Sequence, residues 1–242
     1  MTITENKTVA QVVSENIKAA HVFKKHGIDF CCGGGISIEK ACEKNNVDFK
    51  ILLDDLSIVD KKPNRGLDYN NWDLNFLIGH IINIHHSYVV ESSQILLQYA
   101  EKIASVHGHH YTEVIEINNL LKDVISELAS HMKKEELILF PYIKQLVEAD
   151  KAGIPAPFPQ FGSVNNPIIE MENEHENAGD VFKTIAKLTN NYTPPEEACN
   201  TFRALYAMID EFEQDLHQHI HLENNILHPK AKVLEIKVMR KQ

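Results

Sequence analysis

Two copies of one motif, His-x-x-x-Glu-x-x-Ile-Leu-x-Pro, are the most informative feature of this sequence. The first copy begins with His131 and Glu135, and the second begins with His219 and Glu223. Residues four apart share one face of an α-helix, so each copy presents an imidazole and a carboxylate side by side. Nitrogen and oxygen donors at this spacing are suited to binding a metal ion.

The apolar residues around each motif predict that both pairs face the core of a helical bundle. Seam positions alternate in steps of four and three residues, as expected for packed helices. They are Val124, Leu128, His131, Glu135, Ile138 and Tyr142, and then Leu205, Ile209, Phe212, Leu216, His219, Glu223 and Ile226. A carboxylate in such a seam loses its hydration, which is costly unless it is paired or bound to a metal. Two such pairs at matching places predict one buried metal site.

Further histidines extend the predicted ligand set. His175 lies on the apolar seam of a third helix. In the first bundle helix, His86 and its neighbour His85 both lie on credible seams, and periodicity alone leaves both open. Four histidines and two glutamates exceed what one tetrahedral zinc ion needs. The set suits two metal ions, with Glu135 and Glu223 as bridging ligands.

The elements that must position these residues are predicted to be helices, because the apolar pattern is helical and β-signals are nearly absent. Thr8 is expected to cap a helix that ends near Gly27, Ser37 a short second helix, and Asp48 a third that ends near Asp60. Four long stretches follow, with short connections that are typical of an antiparallel four-helix bundle. They are residues 72–106, 109–150, 164–190 and 194–235.

Composition divides the chain into two domains. Residues 61–71 are polar and contain proline and glycine, as connections between domains often do. The sequence therefore predicts an all-α protein with a small helical domain at 1–60, a linker at 61–71, and an antiparallel four-helix bundle at 72–242.

Cys31 and Cys32 lie in a glycine-rich loop of the small domain. Adjacent cysteines form a disulfide only in a strained ring, so a simple structural bridge between them is not expected. Flexible glycines would leave both thiols accessible, and the start of the next helix would favour the thiolate. We interpret both as candidate catalytic residues for thiol redox chemistry, iron handling or contact with a client.

For side chains next to the motifs, the sequence supports weaker predictions. His217 and His221 lie about 160° from His219 around the helix, so we expect them to face solvent. Glu174 lies about 100° from His175, and either a role next to the ligands or a solvated carboxylate is compatible with that position.

Composition argues against several kinds of partner. The 242 residues include 24 lysines and arginines and 34 aspartates and glutamates, so the net charge of −10 disfavours nucleic acid and anionic membranes. No apolar run approaches the ~20 residues that span a bilayer. The N-terminus lacks the pattern of a secretory signal, and four cysteines do not make a disulfide scaffold. We expect a cytoplasmic protein with reduced thiols.

Five segments resemble the iron–sulfur cluster repair di-iron proteins, the repair-of-iron-centres family, which have a hemerythrin-like bundle. They are DFCCGGG at 29–35, SHMKKEELILFP at 130–141, MENEHENAG at 171–179, TPPEEAC at 193–199 and HIHLENNILHP at 219–229. The resemblance implies two non-haem iron ions with oxo and carboxylate bridges. The ligands that it implies are His86, His131, Glu135, His175, His219 and Glu223. His228 departs from the pattern, which has phenylalanine at this position.

The resemblance also implies a function: repair of iron–sulfur clusters damaged by nitrosative or oxidative stress, with iron donation as one mechanism and damaged iron–sulfur proteins as partners. Two other functional classes of protein are compatible with the same predicted site. One is a hemerythrin-like module that binds nitric oxide or oxygen. The other is an enzyme that reduces nitric oxide or peroxide at paired metals. A homodimer formed through the small domain is an alternative role for that domain.

Overall fold

The structure is a computed structural model that describes residues 3–60 and 68–239. These residues form helices joined by turns and loops, which confirms the all-α prediction. The expected linker at 61–71 lies largely outside the described residues. Its last part forms a short 3₁₀ helix, Tyr69–Asn71.

The first part of the chain forms four short helices. They are α1 (Val9–Glu15), α2 (Ala19–Lys25), α3 (Ile38–Asn45) and α4 (Phe49–Asp60). Thr8 caps α1 in a reciprocal capping box with Gln11. The single helix expected between Thr8 and Gly27 is instead two helices, because the backbone is extended at Asn16. The Ser37 cap is confirmed, since its hydroxyl accepts from the backbone N–H of Lys40.

Four long helices follow in the described residues, and three of them contain a π-helical turn. Helix A comprises α5 (Leu74–His80), the turn π1 (Ile81–His86) and α6 (Ser87–His107). Helix B comprises α7 (Glu113–Lys134), π2 (Glu135–Leu139) and α8 (Phe140–Ala152). Helix C is α9 (Asn165–Leu188). Helix D comprises α10 (Asn200–Leu222), π3 (Glu223–Leu227) and α11 (His228–Met239). They are the four helices of the predicted antiparallel bundle.

The two π-helical turns at the motifs differ in which residues are buried. The regular seam predicted that Ile138 and Ile226 are buried. Ile226 is 2% exposed, but Ile138 is 48% exposed and the next residue, Leu139, is 1% exposed. Both isoleucines hold the same position in their turns, so the difference comes from what packs outside each turn, and α1 packs against π3. The prediction is confirmed for Ile226 and was wrong for Ile138.

The chain separates into two compact units. The bundle unit contains Ile78–Gln145 and Pro157–Leu216, where α7 packs on α6 and α9. The N-terminal unit contains Met1–Leu77, Leu146–Ala156 and His217–Gln242. The short helices thus share a unit with the ends of helices B and D, and the domain boundary at 61–71 stays a proposal.

Each unit has an apolar core of its own. In the bundle unit, Phe182 and Phe212 are buried and their rings stack with centroids 5.7 Å apart. In the N-terminal unit, Val12, Phe23 and Leu52 are buried. Within the described part of the chain, no helix has both the length and the apolar character needed to cross a membrane.

Residues 29–35 form the loop that contains Cys31 and Cys32, here called the cysteine loop, and Gly34 provides a test of how closely it packs. A Cβ atom at Gly34 would lie 2.3 Å from the Phe30 carbonyl oxygen and 3.1 Å from Cβ of Ala10. Because backbone would have to move, we expect Gly34→Ala to lower the free energy of unfolding by about 1–3 kcal/mol. Gly35 is the matched control, since a Cβ atom there meets nothing within 4 Å.

Urea denaturation measures both glycine variants. Gly35→Ala should stay within about 0.5 kcal/mol of the wild-type protein. Equal stability of the two variants would contradict the packing described for Gly34.

Candidate metal centre

A buried carboxylate lies at the centre of the candidate site in the bundle unit. Glu135 is the first residue of π2 and is fully buried. Its Oε2 lies 3.3 Å from Nε2 of His86 on helix A and 3.4 Å from Nε2 of His131 on helix B. One carboxylate therefore faces imidazole nitrogens from two helices.

His175 on helix C brings a third imidazole to this place. Its Nε2 lies 3.0 Å from Nε2 of His131. His131, Glu135 and His175 are buried and offer ligand atoms that all lie within 4.8 Å of one another. Mixed imidazole and carboxylate donors suit iron, manganese or zinc, whereas magnesium and calcium prefer oxygen ligands. The donor set therefore fits a transition metal.

Carboxylates on the outer side orient two of these histidines. Nδ1 of His86 lies 2.7 Å from Oε1 of Glu136, and Nδ1 of His131 lies 2.8 Å from Oε2 of Glu174. When Nδ1 donates its proton to a carboxylate, Nε2 keeps its lone pair for a metal ion. Both rings are thus held in the tautomer that a metal ligand needs.

Glu174 is held in its ionised form. Its carboxylate contacts the ammonium group of Lys134, which also lies 2.7 Å from Glu170. Partial burial opposes ionisation, but hydrogen bonds from Lys134 and His131 outweigh it, and the pKa of Glu174 is lowered. The sequence left open whether Glu174 acts next to the proposed ligands or is a solvated carboxylate. Its contact with His131 supports the first possibility.

The two neighbouring histidines at the end of π1 face different partners. Both His85 and His86 are buried. Nδ1 of His85 lies 2.9 Å from Oδ1 of Asp215 on helix D, whereas His86 faces Glu135. Periodicity could not choose between them. The assignment of His86 as the metal ligand, which the family resemblance implied, stays a proposal.

The second motif forms the same local pair in the N-terminal unit. Nε2 of His219 lies 3.1 Å from Oε1 of Glu223, and both side chains are buried. Glu223 begins π3 just as Glu135 begins π2. In each turn the glutamate carbonyl accepts from the N–H five residues on, which belongs to His228 in π3 and to Phe140 in π2. The repeat in the sequence is thus a repeat in backbone geometry.

Cys31 does not match the expectation of an accessible thiolate. Its side chain is only 3% exposed, and Cys32 is half-buried. Oδ1 of Asp29 accepts from the backbone N–H groups of Cys31 and Cys32 and from the Cys31 thiol. A hydrogen bond with Cys32, together with burial, raises the pKa of Cys31 well above its usual value. The Cys31 thiol is therefore covered and protonated.

The expectation that His217 and His221 face solvent was wrong. His221 is 1% exposed, and His217 is half-buried. Both rings contact the ring of Phe30, with centroid distances of 5.8 and 6.1 Å. His217 and His221 lie off the apolar seam of helix D, but α1 and the loop at Phe30 cover this outer face of the helix. Burial lowers the pKa of His221 to about 4, so its ring is neutral at neutral pH.

Some features of the site had no signal in the sequence pattern. Glu136 supports His86 but follows Glu135 directly, where the helical period predicts a solvated side chain. The π-helical turns were also missed. His228 occupies the position of Phe140 in the other repeat and is fully buried.

The fold and the paired His–Glu motifs define a hemerythrin-like protein with a cation site in its bundle. Residues 77–231 match the family described as "Hemerythrin HHE cation binding domain". Residues 5–60 match ScdA_N, described as "Domain of Unknown function (DUF542)". Similar proteins from Yersinia pseudotuberculosis serotype IB (strain PB1/+) and Yersinia pestis (strain Pestoides F) are each named "Iron-sulfur cluster repair protein YtfE". Each is 39% identical over 214 residues, which cover 88% of this chain and 91% of the relative. The chain therefore belongs to the hemerythrin-like iron–sulfur cluster repair protein family.

The outer carboxylates allow a matched test of the metal centre. We expect Glu174→Gln to weaken metal affinity about 10–100-fold, because His131 loses the carboxylate that sets its tautomer. Glu170→Gln is the control, since Glu170 contacts the same Lys134, whereas Glu174 also contacts Nδ1 of His131. Competition with a chelator measures both affinities. Equal affinities would show that the Glu174 contact does not support the ligand.

Proposed function

We propose that this protein binds two non-haem iron ions and repairs iron–sulfur clusters damaged by nitrosative or oxidative stress. The observation that carries the proposal is the position of the Glu135 carboxylate, which lies 3.3 and 3.4 Å from the Nε2 atoms of His86 and His131. This arrangement suits a carboxylate that bridges two metal ions. Relatives that cover most of the chain are named as iron–sulfur cluster repair proteins.

The proposed ligands provide imidazole nitrogen and carboxylate oxygen to both ions. They are His86, His131, Glu135, His175, His219 and Glu223. Glu135 and Glu223 would bridge the two ions together with an oxo group. Iron at these ligands would supply Lewis-acid and redox chemistry. The chain itself orients the imidazoles through Glu136 and Glu174 and excludes water with Phe140, whose ring stacks on His86 with centroids 5.9 Å apart.

The proposed partners are damaged iron–sulfur proteins, and the proposed location is the cytoplasm. We favour repair by iron donation, in which Cys31 and Cys32 contact the client. Binding or reduction of nitric oxide or oxygen is the alternative use of the same site, and the experiments below separate the two. A homodimer is a further proposal for the role of the small domain.

Metal analysis tests the ligand assignment. Protein purified from iron-replete cells should contain close to two irons per chain and show oxo-bridged charge-transfer absorption. His86→Ala should lose metal and stability, because the charge of the buried carboxylate ligands is then no longer compensated by a bound metal ion. His85→Ala is the control and should keep its metal, since His85 faces Asp215. A single zinc ion without this absorption would contradict the proposal.

A repair assay tests the function. A nitrosylated or oxidised [4Fe–4S] enzyme should recover activity with the iron-loaded protein above the level reached with an iron salt. The double variant Cys31→Ser/Cys32→Ser should keep the iron spectrum and lose most of the recovery. Cys42→Ser/Cys199→Ser is the control, because these cysteines lie outside the loop.

The outcomes of the repair assay separate the alternatives. No recovery above the iron-salt control would rule out repair, and consumption of nitric oxide with an electron donor would then support the binding or reducing function. Full recovery with the Cys31→Ser/Cys32→Ser variant would remove the proposed thiol role and leave dimerisation for the small domain, which sedimentation of the intact protein measures.

A further inference from the structure

Asn225 connects the second His–Glu pair with the cysteine loop. It lies on π3, two residues after Glu223. Its Nδ2 donates to the carbonyl oxygens of Cys31 at 3.1 Å and Phe30 at 3.4 Å. All of these residues belong to the N-terminal unit. One side chain of the π-helical turn therefore holds the backbone of the loop directly.

His221 fixes the orientation of this amide. Nδ1 of His221 lies 3.1 Å from Nδ2 of Asn225, and Nε2 lies 3.3 Å from Oγ of Ser14 on α1. A neutral ring that accepts at Nδ1 and donates from Nε2 is compatible with both contacts. The amide then directs one N–H to His221 and shares the other between the carbonyls of Phe30 and Cys31. The amide group thus faces the loop with its donor side, and reversing it would place oxygen against two carbonyls.

The loop held by Asn225 covers the Cys31 thiol. Cys31 is almost fully buried, and a protonated, covered thiol is a poor nucleophile. The other side of the loop is fixed by α1, where the N–H of Ala10 donates to the Gly34 carbonyl at 2.8 Å. Reaction at Cys31 therefore requires the loop to open, and the contact with π3 opposes that opening.

Glu223 is the first residue of π3, and its backbone carbonyl accepts from the N–H of His228 five residues on. π-Helical turns are rare and recur at functional sites. The Glu223 carboxylate is buried, and a buried carboxylate without a bound cation carries a large desolvation penalty. If the turn relaxed to α-helix, it would lose its extra residue, and Asn225 would rotate by about 100° about the helix axis. That rotation would remove both donated hydrogen bonds from the loop.

We propose that Asn225 is a positioning residue that couples metal occupancy at Glu223 to the cover over Cys31. With metal bound, π3 is maintained, Asn225 holds the loop, and the Cys31 thiol is shielded. Once the centre gives up its metal, the loop opens and the thiol becomes reactive. The inference rests on the proposed function only in taking the metal to be iron.

Alkylation of individual cysteines tests the coupling without any repair assay. Intact protein is treated with iodoacetamide, and the modification of each cysteine is followed by mass spectrometry, with exposed Cys199 as an internal reference. In the iron-loaded protein, Asn225→Ala and the isosteric Asn225→Asp should raise the rate at Cys31 about tenfold, which corresponds to about 1.4 kcal/mol. Leu137→Ala is the matched control, because Leu137 holds the same position in π2 and is 76% exposed.

Removal and return of iron test the second half of the inference. A chelator should raise the Cys31 rate in the wild-type protein to that of the Asn225 variants, and anaerobic Fe²⁺ should lower it again. Iron should not change the rate in the variants. Hydrogen exchange of the backbone amides at 29–35 in the wild-type protein should likewise be slower with Fe²⁺ than without it. This measurement does not rely on any variant.

Two results would overturn the coupling. One is a Cys31 rate that is equal in the wild-type protein and both Asn225 variants. The other is a wild-type rate and amide exchange that do not respond to Fe²⁺. A protein that shows the coupling but fails to restore a damaged cluster would instead refute the proposed repair function and leave the role of Asn225 intact.

Discussion

The burial of two carboxylates is the constraint on which the rest of the structure depends. Glu135 and Glu223 are fully buried within helices, where an ionised carboxylate is stable only with a compensating cation or strong hydrogen bonds. The imidazoles of His86 and His131 surround Glu135, and carboxylates outside them hold their Nδ1 atoms. Neutral imidazoles thus lie between a central carboxylate and outer carboxylates, with the nitrogen lone pairs at Nε2 directed toward the place where a cation would be held.

The π-helical turns are the backbone counterpart of this constraint. Two of them begin at the buried glutamates, and the third ends at His86. An additional residue in a turn weakens the helix locally, so such turns persist where a side chain must be aimed at a functional site. In both turns that begin at a glutamate, the leucine that ends the turn, Leu139 or Leu227, is buried.

The N-terminal helices change the chemistry of the cysteine loop. They cover the outer face of helix D, where Phe30 packs against His217 and His221. The reactivity of Cys31 is therefore set by access and by its raised pKa and not by a permanently activated thiolate. A thiol protected in this way reacts only when the segments that cover it move.

The sequence by itself determined the helical class, the bundle and the two His–Glu pairs, because these depend on short-range periodicity. Caps such as Thr8 and Ser37 are equally local and were predicted correctly. The different contacts of His85 and His86, the contact of Glu136 with His86, and the burial of Cys31 and His221 were decided only by the tertiary structure. Each depends on which distant segment packs against a residue. Helical period describes one helix and its core face, and it carries no information about what covers the opposite face.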